Sequence, residues 1–241
     1  MTEAGRELFN NNKITEAICQ ITFKENLESE FVDKFFEGIK AKYSDSQDVP
    51  KFQLSFSSNK EASQKQLKGI KASNLNGDKV VQIFSDNVSI HQVGNYQTWE
   101  DFREDIYFVL QKLAEISNCE VARIDLRAIN KFSFEVGFKA EDYFKICFKY
   151  PAEYIQNSNY QFNLEQIFVP EKEAGVVRAN CIHSNEEVNF ILDLSYINWL
   201  FDTNIKIGDA EKIKETLEIG HLRLYKIFSQ SITDRTKLII K

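Results

Sequence analysis

The sequence predicts an α+β fold: mostly antiparallel sheet, in one or two sheets, with three long amphipathic helices packed on one face and the chain arranged as two similar fused halves. Three observations predict it. Apolar residues alternate with period two in a series of segments separated by short polar turns. Three longer segments carry apolar residues at helical spacing. Hairpin-like connections outnumber strand–helix–strand units, which favours antiparallel pairing with helices covering one face.

The elements follow in order. Residues 14–23 alternate as a strand, Ile14 to Phe23. Asn26 is placed to cap a helix running to about Lys42, with Leu27, Phe31, Phe35 and Ile39 on one stripe. Ser44 to Pro50 reads as a polar break, and Phe52, Leu54 and Phe56 share one face of a second strand. The Asn76-Gly77 pair is a hairpin signal, because both turn positions require positive φ. Val80 to Phe84 is the return strand, and Val88, Ile90 and Gln92 begin the next.

Thr98-Trp99-Glu100-Asp101 resembles a capping box and opens a helix to about Ser117. Its buried stripe is Trp99, Phe102, Ile106, Val109, Leu110 and Leu113, and its acids crowd the first turns, where the helix dipole favours them. Val121 to Phe138 is strand-like, with a bend expected at Gly137; Tyr143 to Tyr154 fits strand or helix. Phe162 to Val169, Gly175 to Ile182 and Val188 to Ile197 read as three strands. Asp209 is placed to cap a last helix carrying Ile213, Leu217, His221, Leu224 and Phe228. No Pro/Gly/Ser-rich linker divides the chain, so 1–241 reads as one domain, with 14–117 and 118–241 as candidate subdomains.

Composition excludes several classes. Nine Gly and three Pro are too few for a collagen-like or linker-rich chain. Twenty Phe, nine Tyr and two Trp give enough apolar material to offset ordering entropy, so disorder is excluded. A net charge of -6 gives no general pull on nucleic acid. No apolar run reaches the ~20 residues of a membrane span, and the first residues carry no basic-then-apolar leader. Cys19, Cys119, Cys147 and Cys181 form no CxxC pair and lie in apolar stretches. They read as reduced thiols of a cytoplasmic protein.

The chemistry is sparse. No GxxxxGK[ST], GxGxxG or GxSxG stretch occurs, so no cofactor is expected. Cys181-Ile182-His183 is a CxH pair without a second pair to complete four ligands, so no metal is expected. Asp193 interrupts an apolar strand. It reads either as a functional acid or, preferred here, as a structural ion pair with Arg127 or Arg123. The stretch Arg123-Ile124-Asp125-Leu126-Arg127-Ala128-Ile129-Asn130 places Arg123, Asp125 and Arg127 on one strand face. Such a face is an ion-pair lattice or a surface for a phosphate backbone or an acidic peptide.

These marks together resemble a sporadically distributed family of uncharacterised bacterial and archaeal proteins of similar length. Glu16-Ala17-Ile18-Cys19-Gln20-Ile21-Thr22-Phe23 fits its opening strand, and Trp99 with Phe102 its WxxF helix start. Arg123, Ile124, Leu126, Arg127, Ile129 and Asn130 fit its RIxLRxIN strand; Leu192-Asp193-Leu194 fits its late LDx strand. His221, Phe228, Ile232 and Thr233 fit its C-terminal pattern. The chain departs from the family at Asp125 and Ala128, where Gly and Tyr are usual, and in its lead, Glu7 to Asn12. The family has no assigned activity; its patchy distribution suggests antiviral defence or toxin–antitoxin genes.

The expectation is a non-enzymatic protein-interaction module whose partner is another protein or a second copy of itself, with no catalytic residue. The alternative is a nucleic-acid-binding accessory. The candidate binding residues are Arg123, Arg127, Asn130, Lys131 and Trp99.

Overall fold

A computed structural model describes residues 13–56, 62–135, 138–146, 161–169, 172–183 and 187–240. Among them nine strands form one continuous antiparallel sheet, in the order β2-β3-β4-β5-β1-β6-β9-β8-β7. The strands are β1 (Ile14–Phe23), β2 (Asp45–Phe56), β3 (Ala62–Ser73), β4 (Lys79–Phe84), β5 (Asn87–Val93), β6 (Val121–Phe134), β7 (Gln161–Phe168), β8 (Glu173–His183) and β9 (Val188–Trp199). The helices are α1 (Ser29–Ile39), α2 (Trp99–Ile116), α3 (Ala140–Tyr143), α4 (Ala210–Ser231) and α5 (Asp234–Ile240).

This corrects the expectation of three long helices on a sheet of two fused halves. Only α2 and α4, at 18 and 22 residues, are long; α1 has 11, α5 seven and α3 four. The first helix is shorter than its apolar stripe because Leu27 lies before it, its N–H donating to the Ser85 carbonyl at 2.8 Å. The two sides of the sheet are fused into one because β1 pairs with β6 from Ile14–Asn130 to Phe23–Val121.

Other boundaries also moved. The polar stretch from Asp45 belongs to β2, whose ladder with β3 runs from Asp45–Ser73 to Phe56–Ala62. Backbone pairing does not require apolar side chains, and Pro50 is tolerated because β2 ends the strand order. The expected bend at Gly137 and most of the ambiguous segment up to Tyr154 lie outside the described residues, as does Cys147.

The helices sit where the period-two pattern puts them. On β1, Ala17, Cys19, Ile21 and Phe23 are buried, and on β6 so are Val121, Ile124 and Leu126. These meet the stripes of α1 (Phe31, Val32, Phe35, Ile39), α2 (Trp99, Phe102, Ile106, Val109, Leu113) and α4 (Ile213, Leu217) in one core. A second core lies under the end of α4, where Phe144, Phe190, Leu192, Val177 and Ile232 meet. The α2 cap forms as its residues dictate: Thr98 Oγ1 accepts from the Asp101 N–H at 3.1 Å. Asp105 of α2 is 2% exposed, yet it faces Lys42 Nζ and Lys79 Nζ, each at 2.6 Å. A buried carboxylate needs such partners, and this one ties α2 to the end of α1 and to β4.

The other face of the sheet carries the alternate residues. Seven strand steps separate β2 from β8, about 34 Å in a flat sheet at ~4.8 Å per step. Yet Pro50 of β2 and Arg178 of β8 line one cleft of about 590 Å³. The sheet therefore curls away from its helices, and its open face is the inside of a trough.

Candidate functional site: the trough on the open face of the sheet

Strand register sets the trough's floor in rows. One row runs Gln82–Ser89–Gln20–Asp125–Ile197 across β4, β5, β1, β6 and β9. The next runs Val80–His91–Ile18–Arg127–Ser195 across the same strands. A third brings Glu16, Ile129, Asp193, Arg178 and Glu165 into line across β1, β6, β9, β8 and β7. Residues opposite each other in such rows have Cβ atoms about 5 Å apart, close enough for their polar ends to meet.

The arginines described on this face are each paired with a carboxylate. Arg127 grips Asp193 with two parallel bonds, Nε to Oδ1 at 2.7 Å and Nη2 to Oδ2 at 2.6 Å. The Asp193 bond holds the Arg127 guanidinium above its ordinary value. Arg178 donates to Glu165, and its Nη1 lies 3.7 Å from Asp193 Oδ2. Arg123 Nη2 is 2.8 Å from Asp125 Oδ2. The other Asp125 oxygen, Oδ1, is buried without a hydrogen-bond partner among the described residues. Burial pushes the Asp125 carboxyl up to about 6, against the opposing pull of Arg123.

His91 is held at both ring nitrogens. Nδ1 lies 2.9 Å from Glu16 Oε1 and Nε2 lies 2.9 Å from Ser89 Oγ. An ionised carboxylate only accepts, so Nδ1 carries the proton; in the neutral ring Nε2 is then the acceptor for the Ser89 hydroxyl. Among the described residues, the Gln20 and Gln82 side chains flanking Ser89 have no protein hydrogen bond.

The residues singled out from sequence are scattered by this geometry. Arg127 lines the trough, and Arg123 lies on the same face, paired to Asp125. Lys131 is exposed farther along β6, opposite Ile191. Asn130 is 3% exposed on the helix side, where its amide donates to the Leu192 carbonyl at 3.1 Å. Trp99 is on the helix side too: it stacks on His221 at 4.3 Å and its Nε1–H donates to both Glu218 oxygens at 3.2 and 3.1 Å. Asn130 and Trp99 are thus structural in their contacts.

Sequence reasoning missed Ser89, His91, Glu16, Gln20 and Gln82. The available signal was Ser89-Ile90-His91, a polar pair on one face of a strand; Glu16 joins it only through the β1–β5 register. Among the described residues the thiols Cys19, Cys119 and Cys181 are free, and burial pushes Cys181 up to about 11, so it stays protonated. Among the described residues no group of three or more His, Cys, Asp or Glu is placed to hold a metal ion, and no helix is long and apolar enough to cross a membrane. No family model matches this chain, and no curated protein matches it.

Proposed function

We propose that the chain is a protein-interaction module that receives another polypeptide in the trough, in the defence or toxin–antitoxin setting that the family resemblance suggests. One observation carries this reading: each arginine described on the trough floor is opposed by a carboxylate. Arg127 with Asp193, Arg178 with Glu165 and Arg123 with Asp125 leave no cluster of unopposed arginines on this face among the described residues. A phosphate backbone is held by unpaired cations that displace its counterions. A polypeptide needs only shape, hydrogen bonds and apolar contact, which Ile18, Phe84, Ile197 and the Gln20, Gln82 and Ser195 side chains offer.

The test sets two partners against each other. Fluorescent single- and double-stranded oligonucleotides are titrated between about 50 and 200 mM salt, and protein capture from the native host is measured for stoichiometry alongside light scattering. The expected result is one stoichiometric protein partner, or a homodimer, with no saturable oligonucleotide binding. Tight oligonucleotide binding that falls steeply with salt would assign the face to nucleic acid.

A further inference from the structure

We infer that Ser89, His91 and Glu16 form a nucleophile, base and orienting acid that hydrolyse small carboxylic esters in the trough. Three side chains from two strands meet in the order such chemistry requires. Ser89 Oγ is 2.9 Å from His91 Nε2, and His91 Nδ1 is 2.9 Å from Glu16 Oε1. This constellation is recognised by geometry and roles, whatever the fold or chain order. Glu16 fixes the ring proton on Nδ1, which leaves Nε2 free to take the Ser89 proton. Ser89 is 7% exposed and lines the cleft of about 590 Å³, within the size range of small-molecule sites.

The register supplies the remaining part. Gln20 and Gln82 are the direct cross-strand neighbours of Ser89 on either side. Side-chain amides in such positions donate to the oxyanion of a tetrahedral intermediate, and neither is engaged by a described residue. Ile18, Phe84 and Ile197 give the acyl or alcohol portion an apolar lining.

The steps balance with water as the only co-reactant. Ser89 Oγ attacks the ester carbonyl carbon while His91 Nε2 takes its proton. The tetrahedral intermediate collapses, the C–O bond to the alcohol breaks, and His91 returns the proton to the departing alkoxide. Water then adds to the acyl-serine with His91 again as base, and collapse frees the carboxylic acid and restores Ser89. Ser89 and His91 are catalytic residues in this scheme, and Glu16 is a positioning residue.

The full chain is assayed with p-nitrophenyl acetate and p-nitrophenyl butyrate, and separately treated with a fluorophosphonate whose adduct is located by mass spectrometry. The expected result is nitrophenolate release above buffer and an adduct on Ser89. Ser89→Ala loses the adduct and about a thousandfold in rate. Glu16→Gln slows adduct formation on an unchanged melting curve, and Glu16→Asp recovers part of it. The adduct site is read on the unaltered chain, so it decides the matter even where a variant fails to fold. No adduct, an adduct elsewhere, or hydrolysis unchanged in Ser89→Ala would overturn the inference.

Discussion

Asp125 is the residue whose surroundings are least at ease. It shares a strand face with Arg123 and Arg127 and a row with Gln20, but one of its oxygens is buried without a partner. Because its carboxyl is pushed up to about 6, the folded chain holds that proton more tightly than the unfolded chain. The stability this provides is complete below about pH 4 and is lost as pH rises through about 6. Asp125→Asn is therefore expected to gain about 1–2 kcal/mol over the unaltered protein at pH 7.5. At pH 4.5 the difference should shrink, since the folded protein's Asp125 is then protonated and as neutral as the amide. Urea unfolding of both proteins at the two pH values checks it, and a constant difference would contradict it. At this scale the sequence was informative about charge pattern and silent about partners. The alternation of Arg123, Asp125 and Arg127 is visible in the chain, as is the anomaly of Asp193 among apolar residues. That Arg178, Glu165 and Glu16 complete the lattice depends on which strands are neighbours, and single-chain spacing does not encode that.

Among the elements, α4 shows how closely a helix is seated on the sheet. A Cβ on Gly220 would stand 2.9 Å from Leu126 Cδ1 and 2.9 Å from Tyr196 Cδ1. Alanine is the better helix former by about 1 kcal/mol, but here it would push α4 off β6 and β9. Gly220→Ala is expected to destabilise the fold by about 1–2 kcal/mol net, measured as a lower denaturant midpoint; a gain would show that α4 is loosely packed. Local signals placed α2 well, because Thr98 and its apolar stripe agree with each other. They extended α1 too far toward the N-terminus, since Leu27 continues the stripe while its backbone already bonds to Ser85. The seven-residue α5 leaves no signal in the sequence: Asp234 to Ile240 is too short for periodicity to separate it from a loop. The start of β2 was lost for the opposite reason, because a polar edge strand lacks the apolar alternation that marks a strand.

At the scale of the molecule, the decisive feature is the β1–β6 seam, which joins the nine described strands into one sheet and lets its curl form a trough. Antiparallel pairing was legible from hairpin spacing. Long-range order was not, because the β1–β5 and β1–β6 ladders join residues some seventy to over a hundred positions apart. The trough, and with it the meeting of Ser89, His91 and Glu16, exists only after that order is set. The claim that this open face is the working surface is tested most directly by two matched charge reversals. Arg178→Glu breaks an ion pair at the trough, and Arg103→Glu breaks the pair with Glu218 on the helix side. Both residues are partly exposed, so the two variants should fold alike, and partner association is measured for each. The account predicts that Arg178→Glu loses association while Arg103→Glu keeps it; loss confined to Arg103→Glu, or no loss in either, would contradict it.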